Sequence, residues 1–172
     1  MASNSSHSRG SIRAVDDSSA LRRDFDAGAT NPRVLALVSP TCPVCLDGVK
    51  VVLEGVRAKD PAVIDLYIAW LPVLEADSFE HAMGVVAELA SDPRVHHYWD
   101  ADREISRSAH AALELDRHDR KIAWDVYLFY RTGVRWKRPL PMPQIWLHQL
   151  RIADQPSLDA QSLSGALAMV SR

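Results

Sequence analysis

Cysteine is scarce in this chain: two occur in 172 residues, Cys42 and Cys45. That excludes a disulfide-stapled scaffold and leaves the pair for redox chemistry, sensing or metal binding. Long apolar runs are missing as well. No segment approaches the roughly 18 apolar residues needed to cross a bilayer. The stretch Met1–Asp17 is polar and serine-rich, without the apolar core of a secretion signal. Charge of one sign is not in excess. The formal net charge of −2 argues against nucleic acid or a membrane surface as the main partner. No glycine-rich phosphate loop occurs, no Ser-His-Asp order is supported by its surroundings, and no internal repeat is apparent.

What remains is ordinary for a globular protein: 47% hydrophobic and 24% charged residues, enough for one domain with a real core. Residues 1–17 read as a disordered polar leader or docking tail, and residues 18–172 as a single, cytoplasmic domain. Ala20–Ala27 reads as a short helix, ended by Ala27-Gly28 and Asn31-Pro32. Arg33–Val38 has too little polar alternation for an exposed face and predicts a central, parallel strand. From Pro43 to about Ala58, Cys45, Val49, Val52, Leu53 and Val56 recur at helical spacing, with Asp47, Lys50, Glu54 and Arg57 outside the stripe. Gly48 and Gly55 weaken that helix by about 1 kcal/mol each relative to Ala, which packing close to the sheet must offset.

Further along, Ala62–Leu71 predicts a second strand, and Ser78 or Asp77 caps a helix over Phe79–Ala90. Val95–Trp99 reads as a short strand, with Asp102 as the cap of a helix over Ile105–Leu115. Trp124–Tyr130, the turn Arg131-Thr132-Gly133 and Val134–Trp136 read as a β-hairpin. Pro139–Gln144 holds three prolines and must be irregular. Ile145–Ile152 fits strand or helix equally, and Ser157–Val170 predicts a final amphipathic helix. Right-handed crossovers make this an α/β protein: a three-layer α/β/α sandwich, its central mixed sheet covered on both faces, with an antiparallel hairpin at one side.

The chemistry concentrates at Ser39-Pro40-Thr41-Cys42-Pro43-Val44-Cys45, between the first strand and its helix. Residues three apart on a helical first turn share a face, so the two sulfurs can bridge with little backbone movement. Cys42 falls at the helix N-cap, where unpaired N–H groups and the dipole favour a thiolate. Pro43 suits the first helical position, because its φ is already helical and its missing N–H costs nothing there. Cys42 is therefore the candidate nucleophile and Cys45 the candidate resolving thiol, with a metal or sensor role and inert packing as the competing readings.

The element order, with Thr-Cys-Pro-Val-Cys after the first apolar strand, resembles the thioredoxin-like superfamily. The extra strand and helix over about Arg94–Leu115 are similar to its larger branch of peroxiredoxins and thiol–disulfide reductases. The resemblance implies thiol–disulfide exchange. Cys42 attacks a protein or small-molecule disulfide, Cys45 resolves the mixed disulfide, and a reductase recycles the pair, with no cofactor beyond the redox-active disulfide. Pro43 and Val44 would tune the potential. Three positions depart from the family pattern. Ala36 stands where thioredoxins keep a buried acid, Thr41 where they keep a tryptophan, and Ile122–Asp125 lacks the cis-proline that faces the cysteines. A proline at Leu35 would be needed for the peroxidase pattern, although Ser39 fits its hydroxyl position. These departures support a second reading, a non-catalytic thioredoxin-like binding module, redox sensor or soft-metal-binding protein.

Other candidates carry less. His96 and His97 are adjacent on a strand and point to opposite faces, so they do not converge on one ion. His110 and His118 read as surface residues. Trp124, Trp136 and Trp146 fit core packing better than a substrate groove, with Trp124 the exception because it lies where the family clamps its substrate. Asp100/Asp102 and Asp116/Asp119 read as loop and cap residues. The run Arg135-Trp136-Lys137-Arg138 reads as a solvated strand end.

Overall fold

The computed structural model describes residues 12–14, 19–59, 63–89, 91–118 and 121–172. Strand β1 (Ile12–Ala14) is followed by helix α1 (Ser19–Ala27), strand β2 (Arg33–Val38) and helix α2 (Pro43–Arg57). Then come β3 (Asp65–Trp70), α3 (Phe79–Glu88), β4 (Val95–Trp99) and α4 (Glu104–Ala112), with a 3-10 turn at Leu115–His118. The chain ends in β5 (Val126–Tyr130), β6 (Ile145–His148) and α5 (Ala160–Val170). Among the described residues the strands form one sheet in the order β1-β4-β3-β2-β5-β6. The first four are mutually parallel, and β5 runs antiparallel to both β2 and β6.

Every residue of β2 is buried, as its unbroken apolar run requires. Leu35 and Leu37 pack under α1 and α4 with Leu21, Phe25, Ile105 and Ala109. Val34, Ala36 and Val38 face α2, α3 and α5, joining Cys45, Val49, Val52, Ala82 and Leu163. Two helical layers therefore enclose the sheet, and the sequence-predicted stripe of α2 is the face it buries. A Cβ on Gly48 would collide with the Tyr127 hydroxyl on β5, and one on Gly55 would lie 2.8 Å from a Leu163 methyl of α5. Both glycines thus serve close approach rather than a turn.

The structure corrects the sequence in four places. The turn at Thr132-Gly133 exists, with Gly133 at φ +80°, but Val134–Trp136 does not pair with β5. Asp26 of α1 captures it instead: its carboxylate accepts the Trp136 N–H at 2.6 Å, and its carbonyl accepts from Arg135 at 2.6 Å. Trp136 lies buried and edge-on to Phe25, so the Arg135–Arg138 run is not a strand end, while its basic residues Arg135, Lys137 and Arg138 are exposed as expected. The true partner of β5 is β6, beyond the proline-rich segment, which settles Ile145–His148 as strand. Arg103 takes the N-cap position of α4 without a side-chain cap, and the carboxylate that satisfies the first turn is that of Asp100, not Asp102. Asp100 is buried and its carboxylate accepts from the N–H groups of Glu104, Ile105 and Ser106, while Arg103 takes a left-handed conformation at φ 56°. Finally, Ile12–Ala14, within the stretch expected to be a leader, forms an edge strand beside β4. The rest of Met1–Asp17 lies outside the described residues, as do Asp119, Ala90 and Ala62, the first residue of the predicted second strand.

Candidate functional site

The end of β2 delivers Ser39-Pro40-Thr41 to the mouth of α2. Asp77 secures that loop from the segment ahead of α3. Its carboxylate accepts from Ser39 Oγ at 2.8 Å, Thr41 Oγ1 at 2.6 Å and Thr41 N at 3.2 Å, and from the N–H groups of Val73 and Leu74 at 2.8 and 2.7 Å. Burial opposes its ionisation, but these hydrogen bonds, led by Thr41, outweigh burial and lower its pKa. With Asp77 so engaged, Ser78 is the residue that caps α3, accepting from His81 N at 3.2 Å.

Cys42 is the N-cap of α2 and Pro43 follows at its first turn. The Cys42 sulfur accepts from the Cys45 N–H at 3.5 Å, and its carbonyl accepts from Leu46 N at 3.0 Å. Both thiols are free. Cys42 keeps 8% of its surface and Cys45 none, while Val44 between them is 50% exposed. Burial, then the charge of Asp125, pushes the Cys45 thiol far above the ordinary cysteine range.

Opposite the cysteines stands a polar cluster that the sequence did not single out. Asp125 precedes β5 in a left-handed conformation, φ 54°, its N–H donating to Leu37 O at 2.7 Å. Its carboxyl is 3% exposed. Burial raises its pKa to about 6, against the pull of interactions with Tyr127 and with the Cys45 thiol. The Tyr127 hydroxyl lies 3.4 Å from both Cys45 O and Asp125 Oδ1. Gln149, oriented so that its nitrogen faces acceptors, donates to Val44 O at 3.1 Å and to Asp125 Oδ1 at 2.9 Å. His148 fixes that segment: its Nδ1 accepts from Leu150 N at 2.9 Å, so its Nε2 carries the proton that faces Gln155 O at 3.3 Å. A signal did exist, since aspartate is among the few residues that tolerate positive φ ahead of a strand.

The remaining candidates fall elsewhere. Trp136 and Trp146 belong to the core under α1 and α4, on the other side of the sheet from Cys45. Trp124 alone, half-buried beside Asp125, touches both cores. His96 stacks on Tyr67 and His97 on Trp70, whose Nε1–H faces His97 Nδ1 at 3.4 Å. Burial, then His96, lowers the His97 pKa to about 4, so it is neutral at pH 7. His110 approaches Asp116 at 3.6 Å. Among the described residues no group of three or more His, Cys, Asp or Glu is arranged to hold a metal ion, and no helix is long and apolar enough to cross a membrane.

No protein-family model and no curated protein matches the sequence. Among solved structures, a secreted Mycobacterium tuberculosis disulfide oxidoreductase, described as homologous to E. coli DsbE, aligns at 16% identity and TM-score 0.49, covering 81% of this chain and 82% of that one. MTB dsbF, solved in mixed oxidised and reduced forms, aligns at 12% identity and TM-score 0.50, covering 84% of each chain. The sheet order and the second alignment decide the architecture. The fold is thioredoxin-like.

In this thioredoxin-like domain the β4–α4 unit is the extra strand and helix anticipated between Arg94 and Leu115. No cis peptide lies in Ile122–Asp125; the cis peptide among the described residues is Arg138–Pro139, in the loop that follows Trp136.

Proposed function

We propose that the domain is a thiol–disulfide oxidoreductase working through Cys42 and Cys45. The observation that carries this reading is the asymmetry of the pair: Cys42 at the N-cap of a helix, mostly covered but keeping 8% of its surface open to solvent, and Cys45 one turn inside and fully buried. The Cys42 thiolate attacks one sulfur of a substrate disulfide, whose S–S bond breaks and whose second sulfur leaves as a thiolate. Cys45 then loses its proton and attacks the Cys42 sulfur, expelling the remaining substrate thiolate. The substrate gains two electrons and the pair becomes a disulfide, and every step runs backwards when the domain oxidises a dithiol. No prosthetic group is required, because the pair itself carries the electrons. Substrates are protein or small-molecule disulfides, and a reductase returns the pair to the dithiol.

Thr41 and Pro43 set the loop and first turn that hold Cys42, and exposed Val44 meets the substrate first. Half-buried Trp124 borders the approach from the β5 side. Insulin-disulfide reduction with excess dithiothreitol tests the reading. Cys42→Ser is expected to lose turnover, and Cys45→Ser to accumulate mixed disulfide at Cys42. Full turnover by Cys42→Ser would exclude the mechanism. Asp125 at the substrate-facing position favours a second reading, a binding module or redox sensor. That reading predicts a single stoichiometric oxidation in place of cycling.

A further inference from the structure

The mechanism above leaves one chemical requirement unmet. Cys45 is buried and held protonated, so it cannot attack the mixed disulfide until a base removes its proton. Ala36, on the strand beneath, offers none: it pairs directly with Tyr127, whose side chain fills the space above it. The groups that face the Cys45 thiol can be counted by element. Helix α2 brings Cys42, β5 brings Tyr127, the turn ahead of β5 brings Asp125, and the end of β2 brings the Ser39 backbone N–H, which favours the thiolate but is no base. Tyr127 is fully buried and its own proton is held more tightly than usual, chiefly by burial, so it serves as a donor and not a base. Asp125 has no cation among the groups acting on it: Gln149 and Tyr127 approach its Oδ1 at 2.9 and 3.4 Å, the Cys45 thiol is the other titratable neighbour that acts on its charge, and its N–H is spent on Leu37 O.

Resting on the oxidoreductase reading, we propose that Asp125 is the proton acceptor for Cys45, delivered from the turn ahead of β5. In the resolving step the Cys45 S–H proton passes to an Asp125 carboxylate oxygen as the Cys45 sulfur bonds to Cys42. The Cys42–substrate S–S bond breaks, and the substrate sulfur departs with the electron pair. Asp125 then surrenders the proton to the departing thiolate or to water, and the reverse sequence operates when the pair is reduced. Tyr127 and Gln149 are positioning residues. Gln149 donates to Asp125 Oδ1 and to Val44 O, and the single Tyr127 hydroxyl proton is shared between Asp125 Oδ1 and Cys45 O, each 3.4 Å away. The carboxyl is thereby fixed relative to the turn that carries the thiol.

The step can be isolated by reacting Cys42 with the disulfide of 5-thio-2-nitrobenzoate, which releases one coloured thiol and leaves the other bonded to Cys42, and timing release of that second thiol by Cys45 as pH varies. In the wild-type chain the release rate is expected to rise through an inflection near pH 6, where Asp125 ionises. Asp125→Asn is expected to release at least about tenfold more slowly at pH 7.5, to lose that inflection, and to converge with the wild type below pH 5. Tyr127→Phe keeps the base but removes a hydrogen bond that favours its charged form, so its inflection is expected to move upward. This second variant also gives the answer if Asp125→Asn fails to fold. Equal rates and profiles in wild type and Asp125→Asn, or an unmoved inflection in Tyr127→Phe, would remove Asp125 from the role and leave the oxidoreductase reading standing. Failure of wild-type Cys42 to form or resolve any mixed disulfide would bring down both.

Discussion

Asp125 illustrates how a single residue can be unfavourable for folding and useful for chemistry. Its carboxyl titrates at about 6 in the folded chain against 3.8 for an ordinary aspartate, with burial the largest cause. Between those values the folded chain holds the extra proton, so this group makes the protein less stable as pH rises from about 4 to about 6. Above pH 6 the cost is on the order of 2–3 kcal/mol. Asp125→Asn, which cannot ionise, is therefore expected to be more stable than wild type at pH 7.5 by about that amount, with the gap closing toward pH 4. Urea unfolding at the two pH values checks it, and a gap that widened on acidification would contradict the sign. The cysteines were legible because their relation is local, three residues on one turn. Asp125 was not, because its cluster reaches Cys45 through pairing between segments 82 residues apart, as for Tyr127.

At the level of elements, the helix that follows the cysteines was legible down to its buried stripe, and its glycines were recognised as a cost. What they gain required the neighbours. Alanine at Gly48 would improve helix propensity by about 1 kcal/mol, yet its methyl would strike the Tyr127 hydroxyl and the Gln149 amide. Overpacking of that kind costs about 1–3 kcal/mol and lifts the helix from the sheet. Gly48→Ala is expected to lower the thermal midpoint, and Gly55→Ala to lower it less, because there the flexible side chains of Leu163 and Leu167 must yield and the closest approach, 2.8 Å, is longer than at Gly48. A higher midpoint for Gly48→Ala would show that α2 is not held against β5. The hairpin was half legible for a similar reason. The turn chemistry at Thr132-Gly133 is local, but the choice between pairing with β5 and docking on α1 was made by Asp26, more than a hundred residues earlier.

For the molecule as a whole, the parallel half of the sheet followed from alternating strands and helices, whereas the two edge strands did not. Ile12–Ala14 carries too few residues to announce itself, and β6 lies beyond three prolines. Arg33 is what joins the halves. It is fully buried without a carboxylate partner in contact, and its guanidinium donates to Phe25 O, Val134 O, Arg131 O and Asn31 O at 2.8–3.1 Å while lying 4.2 Å above the Phe25 ring. Helix α1, the start of β2 and the segment leaving β5 all depend on it. Arg33→Met keeps much of the apolar stem but strands those carbonyls, and is expected to cost about 3 kcal/mol or more in urea unfolding. A loss below about 1 kcal/mol would mean that water replaces the guanidinium there.

The carbonyls of Val44 and Cys45 are each approached by a donor from across the sheet, Gln149 and Tyr127. A turn tethered in this way has little freedom to uncoil when a bond closes between its two sulfurs or opens again. Switching between the two states would then rearrange few atoms, so little of the bond energy released or spent at sulfur is diverted into moving the backbone.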